Sequence, residues 1–276
     1  MMDLNVIEHS PAASNGAPPL LFVHGFWQGA WCWAEKFMPY FAERGYLCYA
    51  VDLRGHGRSP GKEKIRWYPL QAYVEDLTQV VAGLDEKPIL IGHSMGGMIV
   101  QKYLETHVVP AIVLLASAPP GGLIPATWRV IGRHPWPVLK ANLTLDMYHV
   151  VATPQRYRDT FFSASLPEPE LLLYHNQIQT DSYRAYMDMM FLNLPKSAGS
   201  NRVPTLVIGS PTDRIVSEND VRKTAAVYNA HLELFPGMGH NMMLDEGWEQ
   251  VAAAILAWLQ EQVVGESDME GQHAHN

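Results

Sequence analysis

Two cysteines, Cys32 and Cys48, are all that the 276 residues contain. They are too few for a disulfide framework in a chain this long, and their spacing matches no metal site. Both lie in apolar surroundings, which marks them as buried, inert thiols. No stretch approaches the run of about 18 uninterrupted apolar residues that a spanning helix needs, so no membrane span is expected. The opening segment MMDLNVIEHSPAASNG lacks a basic n-region and a long apolar h-region, so no secretory signal is expected either. These absences point to a reduced, cytoplasmic protein. Positive charge is also scarce, with 20 Lys and Arg against 28 Asp and Glu, a net charge of −8. That balance weighs against nucleic acid, which selects basic surfaces. The deficit is local. From Thr224 to Asn276 there is no Lys or Arg, whereas Glu233, Asp245, Glu246, Glu249, Glu261, Glu266, Asp268 and Glu270 all fall there. Most of them are expected on the outer face of a last helix, and Asp245, Glu246 and Glu249 at its start suit the helix dipole and a neighbouring imidazolium.

What is present describes a globular α/β protein: 47 % hydrophobic and 17 % charged residues leave ample material for a core. A chain of this length buries roughly 75 % of its unfolded surface. Short apolar runs alternate with helical patterns, the signature of a parallel sheet with crossover helices. Strands are expected at Pro19–His24, Tyr46–Val51, Pro88–Gly92, Ala111–Leu115, Thr205–Gly209 and His231–Phe235, with a weaker one near Leu4–His9. Runs such as PLLFVH and PTLVIG are apolar on both faces, as strands covered on both sides should be. Helices are expected at Glu35–Arg44, Leu70–Leu84, Met95–Thr106, Ser217–Asn229 and Gly247–Val264, the fourth capped by Ser217 with Asp220. Residues 119–194 break the alternation with prolines, aromatics and methionines but no clear strand. This insertion reads as a helical cap resting on the strand ends, its apolar groups shared between its own core and a substrate pocket. The core is then 1–118 with 195–264, and 265–276 is expected to be a disordered tail.

The chemistry concentrates at strand ends. Gly92-His93-Ser94-Met95-Gly96 joins a strand to a helix, and a Ser flanked two residues away by Gly on such a turn is a nucleophile elbow. The glycines are there because side chains at those positions collide across the turn. A Ser hydroxyl needs a base and the base an orienting acid, which this architecture supplies in the order Ser, acid, His. Asp213 follows the strand Thr205–Gly209, and His240 follows the strand His231–Phe235. Both thus sit in loops at the edge where open α/β sheets bind ligands. The rival acids Asp220 and Asp181 fall in a helix and in the cap, and the rival histidines His231, His273 and His275 lie outside strand-end loops. His24, beside Gly25, is expected to be structural. Backbone N–H groups of Met95 and Phe26 would form an oxyanion hole, with Trp27 as the alternative donor.

The elements VHGFW (Val23–Trp27), DLRGHGRS (Asp52–Ser59), GHSMGG (Gly92–Gly97), PTDRIV (Pro211–Val216) and GMGH (Gly237–His240) together resemble the α/β-hydrolase fold superfamily, over about residues 19–262. Gly29–Trp33 is similar to plant methyl esterases and hydroxynitrile lyases, while Asp52–Ser59 looks more like bacterial esterases, peroxidases and C–C hydrolases. The resemblance implies a mostly parallel sheet of about seven strands with flanking helices and a cap. The short N-terminus leaves room for one leading strand. It also implies a serine hydrolase with the triad Ser94, Asp213 and His240, needing no metal and no cofactor. The expected substrate is a small apolar carboxylic ester, with Trp27 and Met238 at the pocket wall, and the protein a monomer or homodimer. C–C bond hydrolysis, perhydrolysis, lactone hydrolysis and acyl transfer run on the same triad, and a fold of this kind also serves as a binding module when a triad member is lost.

Overall fold

The computed structural model describes residues 2–196 and 203–273. One seven-stranded sheet runs through it in the order β1-β3-β2-β4-β5-β6-β7. Its strands are β1 (Val6–His9), β2 (Leu20–Val23), β3 (Cys48–Val51), β4 (Ile89–His93), β5 (Ile112–Leu115), β6 (Thr205–Gly209) and β7 (His231–Leu234). β1 pairs antiparallel with β3, and every other neighbouring pair is parallel. Strands β2, β4, β5 and β6 are buried at every residue, which is why their sequences are apolar without alternation. β1 and β7, at the two edges, are only half-buried and carry Glu8, His231 and Glu233.

Helices α1 (Trp31–Ala34) and α2 (Phe37–Ala42) follow β2, and α3 (Leu70–Ala82) and α4 (Met95–Tyr103) flank β4 in sequence. The helix expected over 35–44 is the shorter α2, and α1 precedes it outside that range, the two separated at Lys36, where φ is −135°. Pro39 falls in the first turn of α2, where no intrahelical N–H is needed. Between β5 and β6 lie α5 (Ile124–Arg133), α6 (Pro135–Thr144), α7 (Pro154–Phe161), α8 (Glu168–His175) and α9 (Tyr183–Met187). Prolines stand in the first turn of α5, α6, α7 and α8, so the residues that disrupt a sequence reading are the ones that start these helices. Helix α10 (Glu218–Tyr228) opens on the expected Ser217–Asp220 capping box and ends at Asn229 in the left-handed conformation. Helix α11 (Trp248–His273) buries Val251, Ile255 and Leu259 completely. It continues through 265–273, where the sequence predicts disorder; no proline interrupts it, and 274–276 lie outside the described residues. Both cysteines are free and buried, and burial pushes the Cys48 thiol up to about 12 and that of Cys32 well above its ordinary value, so both are inert.

Candidate active site

Ser94 sits between β4 and α4 with φ 52° and ψ −114°, a strained conformation for a residue with a Cβ. The turn is held by packing that admits no side chain at its flanks. A Cβ on Gly92 would stand 2.6 Å from the Gly96 carbonyl oxygen, and one on Gly96 would overlap the carbonyl of Val23. The strain is sustained by neighbours: Ser94 N–H donates to the Leu115 carbonyl, and its own carbonyl accepts from Ala118 at 3.0 Å. Ser94 is partly exposed, into a cavity that His240 also lines.

His240 Nδ1 lies 2.7 Å from Asp213 Oδ2. The other Asp213 oxygen accepts from the backbone N–H groups of Ile215 at 2.7 Å and Val216 at 3.1 Å. A buried carboxyl held by two N–H donors cannot rotate, and its free oxygen accepts from His240 Nδ1–H. The buried Nε2 makes no hydrogen bond among the described residues and is the nitrogen left to act as the base. Neighbours fix the His240 loop. Ser210 and Thr212 hydroxyls donate to the Met238 carbonyl, each at 2.8 Å, and His93 Nε2 donates to the His240 carbonyl at 3.1 Å. His93 is neutral, because burial and the adjacent His240 hold its pKa well below the usual range.

The two rival acids have other work. Asp220 pairs with Arg129 of α5, whose guanidinium also donates to the Ile215 carbonyl at 3.0 Å through Nε. Ile215 therefore joins the cap to the Asp213 carboxylate through its two backbone groups. Asp181, fully buried, accepts from Trp27 N–H at 2.6 Å and from His56 Nε2 at 3.0 Å. Asp181 occupies the Trp27 N–H, so of the two donors expected on this loop Trp27 is already engaged and Phe26 is the candidate. Met95, the other expected donor, is the first residue of α4, and its N–H has no partner inside the helix. Trp27 itself has φ 65°, a bend that the Asp181 bond stabilises.

The same loop explains His24 and the DLRGHGRS motif. His24 Nδ1 donates to the Gly25 carbonyl at 2.8 Å and its Nε2 accepts from Leu53 N–H at 3.2 Å, so it is structural. Burial, then the nearby His56, lower its pKa to about 4. His56 goes the other way: burial opposes its charge, but Asp181, with the Arg54 carbonyl and Asp52, outweighs burial and raises the pKa above 6.5. Asp52 accepts from Ala30 N–H at 2.7 Å, from Arg58 N–H at 2.9 Å and from Asn5 at 2.8 Å. The motif ties the chain after Trp27 to the sheet edge, and Gly57 is there because a Cβ would overlap the Asp52 carboxylate.

The cavity over Ser94 measures about 760 Å³ with its open mouth included and narrows to a slot. Its walls are mainly apolar, from Leu123, Ala126 and Val130 of the α5 region, Val138 and Ala141 of α6, and Met147, Phe161 and Ile215. Trp27 is among the lining residues. Met238, also expected there, is not: its side chain is buried elsewhere while Ser210 and Thr212 hold its carbonyl. Asp245, expected at the start of the last helix beside His240, is fully buried just before α11 and accepts from Gly239 N–H, Ser163 N–H and Ser163 Oγ, which bolts the His240 loop to the segment at Ser163. The roles of Asp181, Arg129 and Asp245 carried no sequence signal, since each partner is distant in the chain. Among the described residues no group of His, Cys, Asp and Glu is placed to hold a metal.

Residues 20–254 match the model of the Alpha/beta hydrolase family. The chain is 27 % identical over 234 residues to a monoacylglycerol lipase of Mycolicibacterium smegmatis, covering 79 % of this chain and 80 % of that one. It is 26 % identical over 261 residues to a non-heme haloperoxidase of Rhodococcus erythropolis, covering 88 % and 92 %. An esterase structure from Exiguobacterium antarcticum aligns with a TM-score of 0.75 at 19 % identity, over 93 % of this chain and 95 % of that one, a likeness of fold alone. With the family matched over most of its length, the chain belongs to the alpha/beta hydrolase family and is an enzyme of it.

Proposed function

We propose that the chain is a serine carboxylesterase acting on esters with an apolar acyl or alcohol group. The observation that carries this reading is the charge-assisted Asp213–His240 bond of 2.7 Å beside a cavity that also exposes Ser94. His240 Nε2 takes the Ser94 proton as Ser94 Oγ forms a bond to the ester carbonyl carbon. The oxyanion is received by Phe26 and Met95 N–H groups. Collapse expels the alcohol, which leaves with the proton from His240. Water, deprotonated by His240, then attacks the acyl-enzyme, and Ser94 recovers its proton as the carboxylic acid departs. No metal or cofactor takes part. Residues 1–118 and 195–264 act as the catalytic core and 119–194 as the cap, in a cytoplasmic monomer or homodimer. Among the described residues, no helix is long and apolar enough to cross a membrane.

A slot with apolar walls favours a slender chain. Each buried methylene adds about 0.8 kcal/mol, a factor of about four in kcat/KM while the slot lasts. A panel of p-nitrophenyl esters from acetate to octanoate tests this. Rising kcat/KM with chain length supports the apolar slot, and a preference for acetate counts against it. Undiminished turnover by Ser94→Ala would overturn the reaction itself. The haloperoxidase relative favours one second reading, in which hydrogen peroxide replaces water against the acyl-enzyme and yields a peracid. Running the panel with and without peroxide separates the two.

A further inference from the structure

Helices α5 and α6 face two ways. One face of each walls the cavity, through Ala126 and Val130 on α5 and Val138 and Ala141 on α6. The opposite faces carry large apolar side chains into solvent: Trp128 is 67 % exposed, Trp136 77 % and Leu143 76 %, with Ile124 and Leu139 also exposed. Ile124 and Trp128 are four residues apart, and Trp136, Leu139 and Leu143 follow at three and four, so each set forms a stripe on its helix. Single exposed apolar groups are ordinary, but five on two adjoining helices, two of them tryptophan, form a surface.

The charge around this surface says what covers it. The chain carries −8 overall, yet no Asp or Glu occurs between Glu105 and Asp146. Within that span Arg133 and Lys140 are exposed and make no ion pair among the described residues. Tryptophan sits by preference at the boundary between hydrocarbon and water, and cations beside it attract anionic headgroups. A second copy of this chain would bring its own −8 and offers no such match.

We infer that the outer face of α5 and α6 docks on an anionic lipid surface, with Trp128, Trp136 and Leu143 in the interfacial layer and Arg133 and Lys140 on headgroup phosphates. Docking puts the wall of the catalytic slot against the phase in which apolar esters accumulate. It requires no membrane span and does not depend on the reaction proposed above.

The test is flotation of the full chain with vesicles of phosphatidylcholine alone and of phosphatidylcholine with about one third phosphatidylglycerol. The protein is expected to float with the anionic vesicles and to be released by salt. Trp128→Ser with Trp136→Ser, or Arg133→Glu with Lys140→Glu, should each weaken binding by at least about tenfold. All four positions are exposed, so melting temperature and turnover of a soluble short ester should stay at the wild-type level. Ser94→Ala should float like the wild type, which separates failure of docking from failure of the esterase reading. The inference is overturned if the wild type ignores anionic vesicles, or if either double variant binds as well as the wild type. It is equally overturned if light scattering shows a dimer that the tryptophan changes split, because the surface would then be a self-interface.

Discussion

Replacing Asp213 by Asn tests whether the acid acts through the imidazole's proton position. One Asp213 oxygen is fixed by Ile215 and Val216 N–H groups at 2.7 and 3.1 Å, and the other faces His240 Nδ1 at 2.7 Å. In the Asn variant the amide oxygen has one place to go. Turned toward the two backbone donors, it leaves the NH2 group facing Nδ1. Turned toward His240, it sets NH2 against two N–H groups, at a cost of about 1–3 kcal/mol for each donor left unsatisfied. The first orientation wins, Nδ1 becomes an acceptor, and the imidazole proton moves to Nε2. In that tautomer Nε2 cannot take the Ser94 proton. The expected loss in kcat is about 10⁴, or about 5 kcal/mol of barrier. It is read from p-nitrophenyl butyrate hydrolysis, beside a thermal melt showing the fold retained. Activity within tenfold of wild type would refute the reasoning and pass the acid's role to another carboxylate.

Arg129→Met removes the cap's bonds to the Ile215 carbonyl and to Asp220, so kcat should fall about ten- to a hundredfold with a smaller change in KM. Arg129→Lys should recover part of this, and unchanged kinetics in both would show that the cap does not position the acid. Gly96→Ala drives a Cβ into the Val23 carbonyl, where backbone cannot yield, and should cost at least about 3 kcal/mol in denaturant unfolding; a loss under about 1 kcal/mol would contradict the packing. Acid should destabilise the fold. His24 has a folded pKa of about 4 against an ordinary 6.5, and His93 is lowered too, so the unfolded chain binds more protons as pH falls and stability drops between about 6.5 and 4. His56, raised by Asp181, contributes in the opposite sense, stabilising below 6.5 and losing that contribution as pH rises. Melts from pH 7.5 to 4.5 should therefore fall for the wild type and fall less for His24→Gln; equal slopes would remove His24 from the account.

The sheet was legible because its buried strands write themselves as unbroken apolar runs, and the candidate site because Ser94, Asp213 and His240 each stand in a loop past one of them. The Ser217 capping box was legible for the same local reason. What escaped was non-local. Asp181 holds Trp27 across a sequence separation of 154 residues, and Arg129 reaches Ile215 across 86. Nothing in the periodicity of either segment marks such a partner. Met238 was misplaced because neighbourhood in sequence to His240 does not fix which way a side chain points on a turning loop. Asp245 was legible as a charge at a helix start, but not its bonds from Ser163, 82 residues away. The aromatic richness of the cap announced apolar surface without saying where it lay: Phe161 and Met147 reached the slot, Phe162 and Tyr174 the interior, and Trp128 and Trp136 the outside.

The most direct test of the central claim is to quench the reaction with a p-nitrophenyl ester at early times and measure the masses of the proteolytic peptides. The account predicts one acyl group on the peptide bearing Ser94, formed with a matching burst of p-nitrophenol and absent from Ser94→Ala. Ester turnover with no acyl group on Ser94, or with the acyl group on another residue, would contradict it.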